Sequence, residues 1–518
     1  MRASFLDQIP VRIGTPEDFD RVAKTLRDAR FDEETLREAL KLKDMSDVGG
    51  IREIDDDAPN MSPQLKVLIQ IFLCLSLVAR SEVERVFDEA TIKSFLSLGL
   101  LATGEFGQDE YYSTVLFYPV AGFWMASDRL TLPGCSGYEA PPDIVFPAIY
   151  TGTLQFLRLL PRGVGSDALD LCAGTGIAAM VLSRSNTRAV SVDITERATQ
   201  FARFNCALNK CTEVEVIRGD LYDAVKGRKF DCIVAHPPYV PSVGLNTIWR
   251  DGGATGEFLV RKIIEGLPEH LRSGGMFACL TQGLDTKDGN FENRVRTWLK
   301  GSADDFDVVF VCEIERSTQQ VLDLLSGRGT LLLENLKEVQ AELERERTIS
   351  LPYGALFMRR ADSARSNPWT TRRKLSAETH GSDLEGTFVL HDQLSDPGFS
   401  AALVDARPRL APRLEVKVTY VVDDGALAPA QFLFETDKPF SLRVKFDDWM
   451  VPLLTRFDGK TKVSEVYQKA KSDDEIPGEF KLDDFSVLVS RAIEGGFLEL
   501  TDNVPGSAKG GNGSSSGF

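Results

Sequence analysis

An α/β fold around a parallel sheet, with an accessory domain on each side, is what this sequence predicts, on three observations. First, four segments between Ser166 and Ser242 (DALDLCAGTGIAAM, AVSVDIT, VIRGDLYD and FDCIVAHPPYVPS) each carry a short apolar run that stops at a polar or glycine-rich turn. Strands buried on both faces of a parallel sheet read this way. Second, helical stretches separate these runs, which is the alternation of βαβ units. Third, the chain of 518 residues is too long for one core and suits about three domains. The expected division is an N-terminal helical, winged-helix-like domain over 1–139 and the α/β domain over 140–362. A linker over 363–385, a C-terminal α+β domain over 386–504 and a disordered tail over 505–518 follow.

Composition sets the outer bounds. Hydrophobic content of 43% and charged content of 26% are those of a globular protein. The 60 Lys and Arg against 77 Asp and Glu leave a net charge of −17, and such a surface repels nucleic acid unless a local basic stripe overrides it. No secretory leader opens the chain, and the longest apolar run, Val67–Val78, is too short to span a bilayer. The eight cysteines form no C-x-x-C pair, so neither a metal site nor a disulfide framework is indicated. A soluble, cytoplasmic protein with no membrane partner is expected.

In chain order, Thr15-Pro16-Glu17-Asp18 opens a helical segment running to Leu42, with Thr as N-cap and acids at the positive end. Asp55–Asp57 marks a solvated loop, and Ser62-Pro63 starts a helix through Val78. Short helices at Glu82–Phe87 and Glu89–Leu98 end at Gly99, before a hairpin of Leu100–Thr103 with Tyr111–Tyr118. That order resembles a winged helix. Its candidate recognition segment, Asp88–Lys93, is acidic, which favours packing or substrate docking over DNA binding.

The sheet core comes next. In open parallel sheets ligands sit at the carboxyl ends of strands, here Asp170, Asp193, Asp220 and His236. Ala173-Gly174-Thr175-Gly176 can turn without a Cβ in a ligand's way, and the following helix points its amides at that ligand. Asp193 suits the two hydroxyls of a ribose and Asp220 an adenine amino group. Gly174-x-Gly176-x-x-Ala179 also satisfies the loose dinucleotide fingerprint. Against that rival, Asp170 would repel a pyrophosphate but attract a sulfonium or ammonium, and hydride transfer has no use for His236-Pro237-Pro238-Tyr239.

D-L-C-A-G-T-G, then V-D-I, then G-D-L, then x-P-P-Y resembles the class I S-adenosylmethionine (SAM) methyltransferases, and within them the HemK-like glutamine N-methyltransferases and amino-methylating nucleic-acid enzymes. Arg203–Asn209 and Trp249–Gly253 further resemble a bacterial group carrying extra domains on both sides. The resemblance covers roughly 140–360. It implies a seven-stranded Rossmann-like methyltransferase sheet and SAM as cofactor. It places Asp170, Cys172, Ala173, Gly174 and Gly176 at the methionine part, Asp193 and Ile194 at the ribose, and Asp220 and Leu221 at the adenine. Tyr150 and Thr151 lie where related enzymes fold a segment over SAM, or else simply start a helix.

His236 departs from that family, which usually carries Asn, Asp or Ser there. In the Asn form the side-chain oxygen and the first proline's carbonyl accept hydrogens from a planar NH2, so His236, Pro237 and Tyr239 are the candidate catalytic and substrate-binding set. A neutral imidazole offers one acceptor and titrates near neutrality, so it could accept an amide hydrogen or act as general base towards a hydroxyl. The plain alternative is that His236 fills space at a strand end, and Tyr239 either closes over a flat substrate group or packs.

Val243–Gly256 is long enough for a lid, in which Arg250 and Asp251 either orient substrate or pair with each other. A helix over 257–270, strands at Met276–Thr281, Phe306–Cys312 and Gly354–Met358, and a helix over Leu331–Arg347 complete the sheet domain. Arg372-Arg373-Lys374 is a basic cluster in the linker, read as solvated. Strands at Phe388–His391 and Leu414–Val422, helices at Asp447–Arg456, Val463–Lys471 and Asp483–Glu494, and a strand at Phe497–Leu500 make the last domain. The expected function is methyl transfer to a nitrogen or oxygen of a polypeptide side chain or small metabolite. A nucleic-acid amino-group methyltransferase and a non-catalytic nucleotide-binding scaffold stay open.

Overall fold

The computed structural model describes residues 8–51, 61–104, 109–130, 141–163, 165–185, 188–243, 247–327, 333–363, 365 and 368–500. The Asp55–Asp57 loop and the 505–518 tail lie outside them. The chain divides into two compact units, residues 1–372 and 373–518.

The first unit opens with α1 (Pro16–Asp28), where Thr15 and Asp18 exchange hydrogen bonds in a capping box. Helices α2 (Glu33–Leu40) and α3 (Pro63–Phe72) are capped by Asp32 and Ser62. The helix expected through Val78 stops at Phe72, because Leu75 turns left-handed and Val78–Ala79 becomes strand β1. Then come α4 (Arg80–Val86), α5 (Glu89–Ser97), β2 (Leu101–Thr103) and β3 (Glu110–Ser113), the three strands ordered β1-β3-β2. Gly99 ends α5 with φ +72°, and a Cβ there would meet the Pro10 carbonyl oxygen at 2.0 Å. The strand expected over Tyr111–Tyr118 breaks after Ser113. Its second half, β4 (Leu116–Val120), pairs instead with β5 (Phe123–Ser127).

The sheet domain runs α6 (Thr151–Arg158), β6 (Asp167–Leu171), α7 (Ile177–Ser183), β7 (Arg188–Asp193), α8 (Glu196–Leu208), β8 (Val214–Arg218) and β9 (Phe230–Ala235). It continues through α9 (Phe258–His270), β10 (Leu271–Gln282), β11 (Asp285–Thr286), α10 (Phe291–Trp298) and β12 (Phe306–Ser317). Helices α11 (Thr318–Gly327) and α12 (Leu333–Arg345) precede β13 (Thr348–Arg360) and β14, which starts at Thr370. The order is β14-β12-β13-β10-β9-β6-β7-β8, with β11 on β13. Strands β8, β7, β6, β9 and β10 are parallel, and β13 runs antiparallel to both β10 and β12. The order reverses at β6, which opens a crevice beyond the carboxyl ends of β6, β7 and β9.

The sheet has nine strands among the described residues, where seven were expected. The extra edge strand β14 arises where a linker was expected. Arg372 is bound to Asp285 at 2.6 Å and to Glu292 at 2.7 Å, so part of the basic cluster read as solvated is half-buried in ion pairs.

The N-terminal elements are fused to this sheet. Asn205 and Asn209, one turn apart on α8, bond the backbone of β5 as a neighbouring strand would. Their Oδ1 atoms accept from Ala126 N (2.8 Å) and Trp124 N (2.9 Å), and their Nδ2 groups donate to the carbonyls of the same residues. Asn205 Nδ2 also reaches Thr175 O in the glycine turn at 3.1 Å. Alongside, Arg197 makes a buried bidentate pair with Asp128 at 2.6 and 2.7 Å. This explains the Arg203–Asn209 run: its asparagines are docking groups.

The second unit holds α13 (Gly381–Ser395), α14 (Pro397–Leu403), β15 (Pro408–Leu410), β16 (Glu415–Asp423), β17 (Ala426–Thr436) and β18 (Leu442–Phe446). It ends with α15 (Met450–Thr455), α16 (Val463–Ser472), α17 (Leu482–Glu494) and β19 (Leu498–Leu500), which pairs with β15. The strand expected at Phe388–His391 is a stretch of α13. Leu384 and Phe388, four residues apart, bury one helical face, and that spacing outweighs the strand preference of Phe-Val-Leu. Among the described residues no helix is long and apolar enough to cross a membrane.

Candidate functional site

The crevice is built from the β6 turn outwards. Asp170, one residue before the end of β6, is 2% exposed, and its Oδ2 accepts from Ala179 N of α7 at 3.1 Å. Burial, and secondarily the charge of Asp193, push its carboxyl up to about 8. Gly174 and Gly176 take φ of +54° and +79°. A Cβ on Gly174 would project into open space, whereas one on Gly176 would lie 3.0 Å from Ala202 Cβ. One glycine thus leaves a cradle for a ligand and the other lets α7 pack against α8. Ala173 N donates to Val192 O at 3.1 Å, which ties the turn to β7.

Cys172 sits in the same turn with φ +57°, a region that L residues other than glycine avoid. Burial holds its thiol well above the ordinary range, which disfavours the thiolate. Cys172→Val is expected to lower stability by about 2 kcal/mol or more, because a β-branched side chain is strained there. Urea denaturation reads this, and an unchanged midpoint would mean the turn relaxes freely.

Asp193 closes β7 with its carboxylate turned towards the turn. Oδ2 accepts from Gly174 N (3.0 Å), and Oδ1 accepts from Thr195 N (3.0 Å) and Thr195 Oγ1 (3.2 Å). Burial raises its pKa, against those bonds. Ile194 beside it is 52% exposed, an apolar face with no core to pack on. Asp220 follows β8, which Gly219 N ties to Asp193 O at 2.9 Å, and it is exposed; Leu221 after it takes φ +46°.

His236 follows β9 in an aromatic enclosure. Its ring lies 5.3 Å from Phe156 of α6 and stacks at 6.0 Å on Tyr239, and Tyr239 meets Tyr353 of β13 at 5.4 Å. A Cβ on Gly152 would meet Tyr353 Oη at 3.3 Å and His236 Cε1 at 3.8 Å, so the start of α6 roofs the same space. Burial brings the imidazole down to about 4. That lies below the near-neutral titration expected of the residue, and it favours the neutral ring. Burial also pushes the Tyr353 hydroxyl up, so it stays protonated. Pro237, the next residue, is buried.

Tyr150 precedes α6 as its N-cap residue and stacks on Phe146 at 4.3 Å, with Trp249 on that phenylalanine's ring at 4.4 Å; Thr151 begins the helix and is exposed. Arg250 and Asp251 belong to the frame of the loop. Arg250 Nε donates to Asp251 Oδ1 at 2.8 Å, Thr247 N donates to Oδ2 at 2.9 Å, and Asp251 is buried. Asp251 thus spends its acceptors inside the loop, which does not leave it facing a substrate. Phe156 and Tyr353 were missed from the sequence. Phe156 had a signal, four residues beyond Gly152 on one helical face; Tyr353 had none, since only the β10–β13 pairing brings it here.

The methyltransferase small domain family model matches residues 147–288. A protein named as a putative protein N5-glutamine methyltransferase, from Methanocaldococcus jannaschii, is 30% identical over 151 residues, 28% of this chain and 74% of that protein. The release factor glutamine methyltransferase of Koribacter versatilis is 33% identical over 152 residues, 26% of this chain and 54% of its own. The ribosomal protein uL3 glutamine methyltransferase of Bradyrhizobium diazoefficiens is 29% identical over 157 residues, 28% and 49% of the two chains. The chain spans about half the length of the last two. Among solved structures, a ribosomal protein L11 methylase from Lactobacillus delbrueckii subsp. bulgaricus aligns with 40% of this chain and 77% of its own, at 16% identity and a TM-score of 0.24, too low to argue from. With the glycine turn, the strand-end acids and the x-P-P-Y corner all in the matched stretch, the chain belongs to the class I SAM-dependent methyltransferases, in their HemK-like group.

Proposed function

We propose that this protein transfers a methyl group from SAM to a side-chain nitrogen of a polypeptide, a carboxamide nitrogen in the first place. The observation that carries the reading is the His236 ring set among Phe156, Tyr239 and Tyr353 at the end of β9, the strand next to the one that carries Asp170. The names of the relatives, glutamine methyltransferases, point the same way.

The crevice fits a sulfonium nucleoside on its own features. The Gly174 cradle is open, exposed Ile194 offers a flat apolar face to a base, and Asp193 retains acceptor capacity for ribose hydroxyls. Asp220 would take an adenine amino group, with Leu221 and the Tyr150–Thr151 segment flanking, and Cys172 and Ala173 shape the turn. When bound, SAM supplies a methyl group made electrophilic by the sulfonium. The chain's own residues do the rest. Asp170, ionised when the cation binds, supplies negative charge under the turn. His236 accepts one hydrogen of the acceptor NH2 and so fixes the direction of its lone pair, and the aromatic walls exclude water. A ring of such low basicity is poorly suited to deprotonate an alcohol, which disfavours hydroxyl acceptors.

The net charge of −17 disfavours nucleic acid, and a protein substrate could dock on the flanking regions. For these the reading is a winged-helix-like N-terminal domain and a C-terminal α+β domain, in a cytoplasmic enzyme. Incubating cell extract with the enzyme and isotopically labelled SAM tests it: label should appear in protein, as a methylated side-chain amide on hydrolysis under mild conditions. Label confined to nucleic acid or to small molecules would overturn it. Calorimetry showing no affinity for SAM or its demethylated product would leave only the scaffold.

Asp170 makes cofactor binding pH-dependent. Its folded-state pKa is raised to about 8, so the free protein holds it protonated at pH 7. A bound cation favours the carboxylate, so binding releases a proton, and SAM affinity should climb as pH rises towards 8 and then level off. Calorimetry in buffers of different ionisation enthalpy measures the proton released; no release at pH 7 would show that Asp170 does not change ionisation on binding.

A further inference from the structure

Gln282 ends β10, is 7% exposed, and its Nε2 has no hydrogen-bond partner among the described residues. A buried donor left unpaired costs about 1–3 kcal/mol, so the amide leaves a donor that a bound ligand can satisfy. The ladder tells where it lies. Asp170, Val234, Ala278 and Phe357 form one in-register row across β6, β9, β10 and β13. Side chains return to the same face every second residue, so the next position along β9 is His236 and the next along β10 is Leu280. One step further on β10 is Gln282, directly opposite Tyr353. Opposed residues of an antiparallel pair stand on one face with Cβ atoms about 4.5–5.5 Å apart. Tyr353 is the residue whose hydroxyl shares the space under Gly152 with His236.

We infer that Gln282 is a specificity-determining residue of the acceptor site: its Nε2 donates to the carbonyl oxygen of a carboxamide whose nitrogen gives a hydrogen to His236. The inference rests on the reading of His236 as the acceptor end of the crevice. One donor and one acceptor on the same face complement the two ends of a primary amide. A lysine ammonium has no oxygen for Gln282, and a serine hydroxyl is too small to meet both groups.

The test uses full-length protein saturated with the demethylated cofactor product, so that nothing reacts. The probes are two short blocked peptides that differ only in a central glutamine or lysine. Calorimetry should show the glutamine peptide bound about tenfold or more weaker by Gln282→Met than by wild type, with cofactor-product affinity unchanged. Gln282→Glu, which presents only acceptors, should lose about 10²-fold. Because the amide has no internal partner, Gln282→Met should melt at the wild-type temperature or above. A variant that unfolds or melts well below it would show the amide paired within the protein and overturn the inference. Equal glutamine-peptide binding by wild type and Gln282→Met would also overturn it, leaving the acceptor reading intact. A wild type that binds the cofactor product but prefers the lysine peptide would overturn the acceptor reading itself, and this inference with it.

Discussion

His236→Ala is expected to cut turnover by about 10²-fold or more while leaving SAM affinity within about twofold of wild type. The ring stands beyond β9 with Phe156 and Tyr239 against it, whereas the open Gly174 cradle that would hold the cofactor follows β6. Its removal takes away the acceptor that orients the substrate nitrogen and does nothing to the ribose end. His236→Asn, which restores an acceptor oxygen and the residue usual in the family, should recover most of the loss. The pH dependence separates this role from general-base catalysis. With the ring's pKa brought down to about 4, turnover should be insensitive to His236 ionisation from pH 6 upwards. It should fail only as pH drops towards 4 and the protonated ring loses its acceptor. The same lowering means the unfolded chain takes up a proton between about pH 6.5 and 4 that the folded chain refuses, so stability falls with acid over that window. Turnover unchanged in His236→Ala, in a protein that still folds, would assign the ring to packing.

What the sequence disclosed and what it hid follow from the range of the interactions involved. The carboxyl ends of β6, β7 and β9 were legible because a parallel strand buried on both faces writes a continuous apolar run, and its polar terminus stands out. Strand β8, an edge strand only partly buried, was legible from the Gly219-Asp220 turn that ends it. Thr15 and Gly99 were legible because caps are local. Tyr353 was hidden: its place beside Tyr239 depends on β13 entering the sheet antiparallel to β10, more than a hundred residues from the x-P-P-Y corner. The edge strand at Thr370 was hidden for a related reason, since Arg372 looks solvated until Asp285 and Glu292 close on it. The basicity of His236 could not be read from its type, because the aromatic walls that desolvate it come from α6 and β13. In α13 the helical face of Leu384 and Phe388 overrode local strand preference. Local chemistry was readable, and long-range enclosure was not.

Asp193→Ala is expected to weaken SAM binding by about 10²-fold or more, the worth of one or two charge-assisted hydrogen bonds lost from a partly desolvated site. Two effects contribute, and they can be separated. The carboxylate anchors the turn through Gly174 N and the start of α8 through Thr195, so its loss should lower stability by about 1–2 kcal/mol in the absence of any ligand. The remaining loss of affinity belongs to the ligand itself. Adenosine alone should suffer the same fold-change as SAM if the ribose is what Asp193 holds, because the two share that part. An unchanged SAM affinity, or a loss for SAM without one for adenosine, would remove Asp193 from the ribose. The variant also reports on its neighbour. Part of the upward shift of Asp170 comes from the charge of Asp193, so in Asp193→Ala the rise of SAM affinity with pH should move to lower pH. Burial remains the larger cause of the Asp170 shift. A modest displacement, with the profile still above the ordinary carboxylate range, therefore marks a variant that has lost a ligand contact without losing the crevice, whereas a fall to the ordinary range marks an opened crevice.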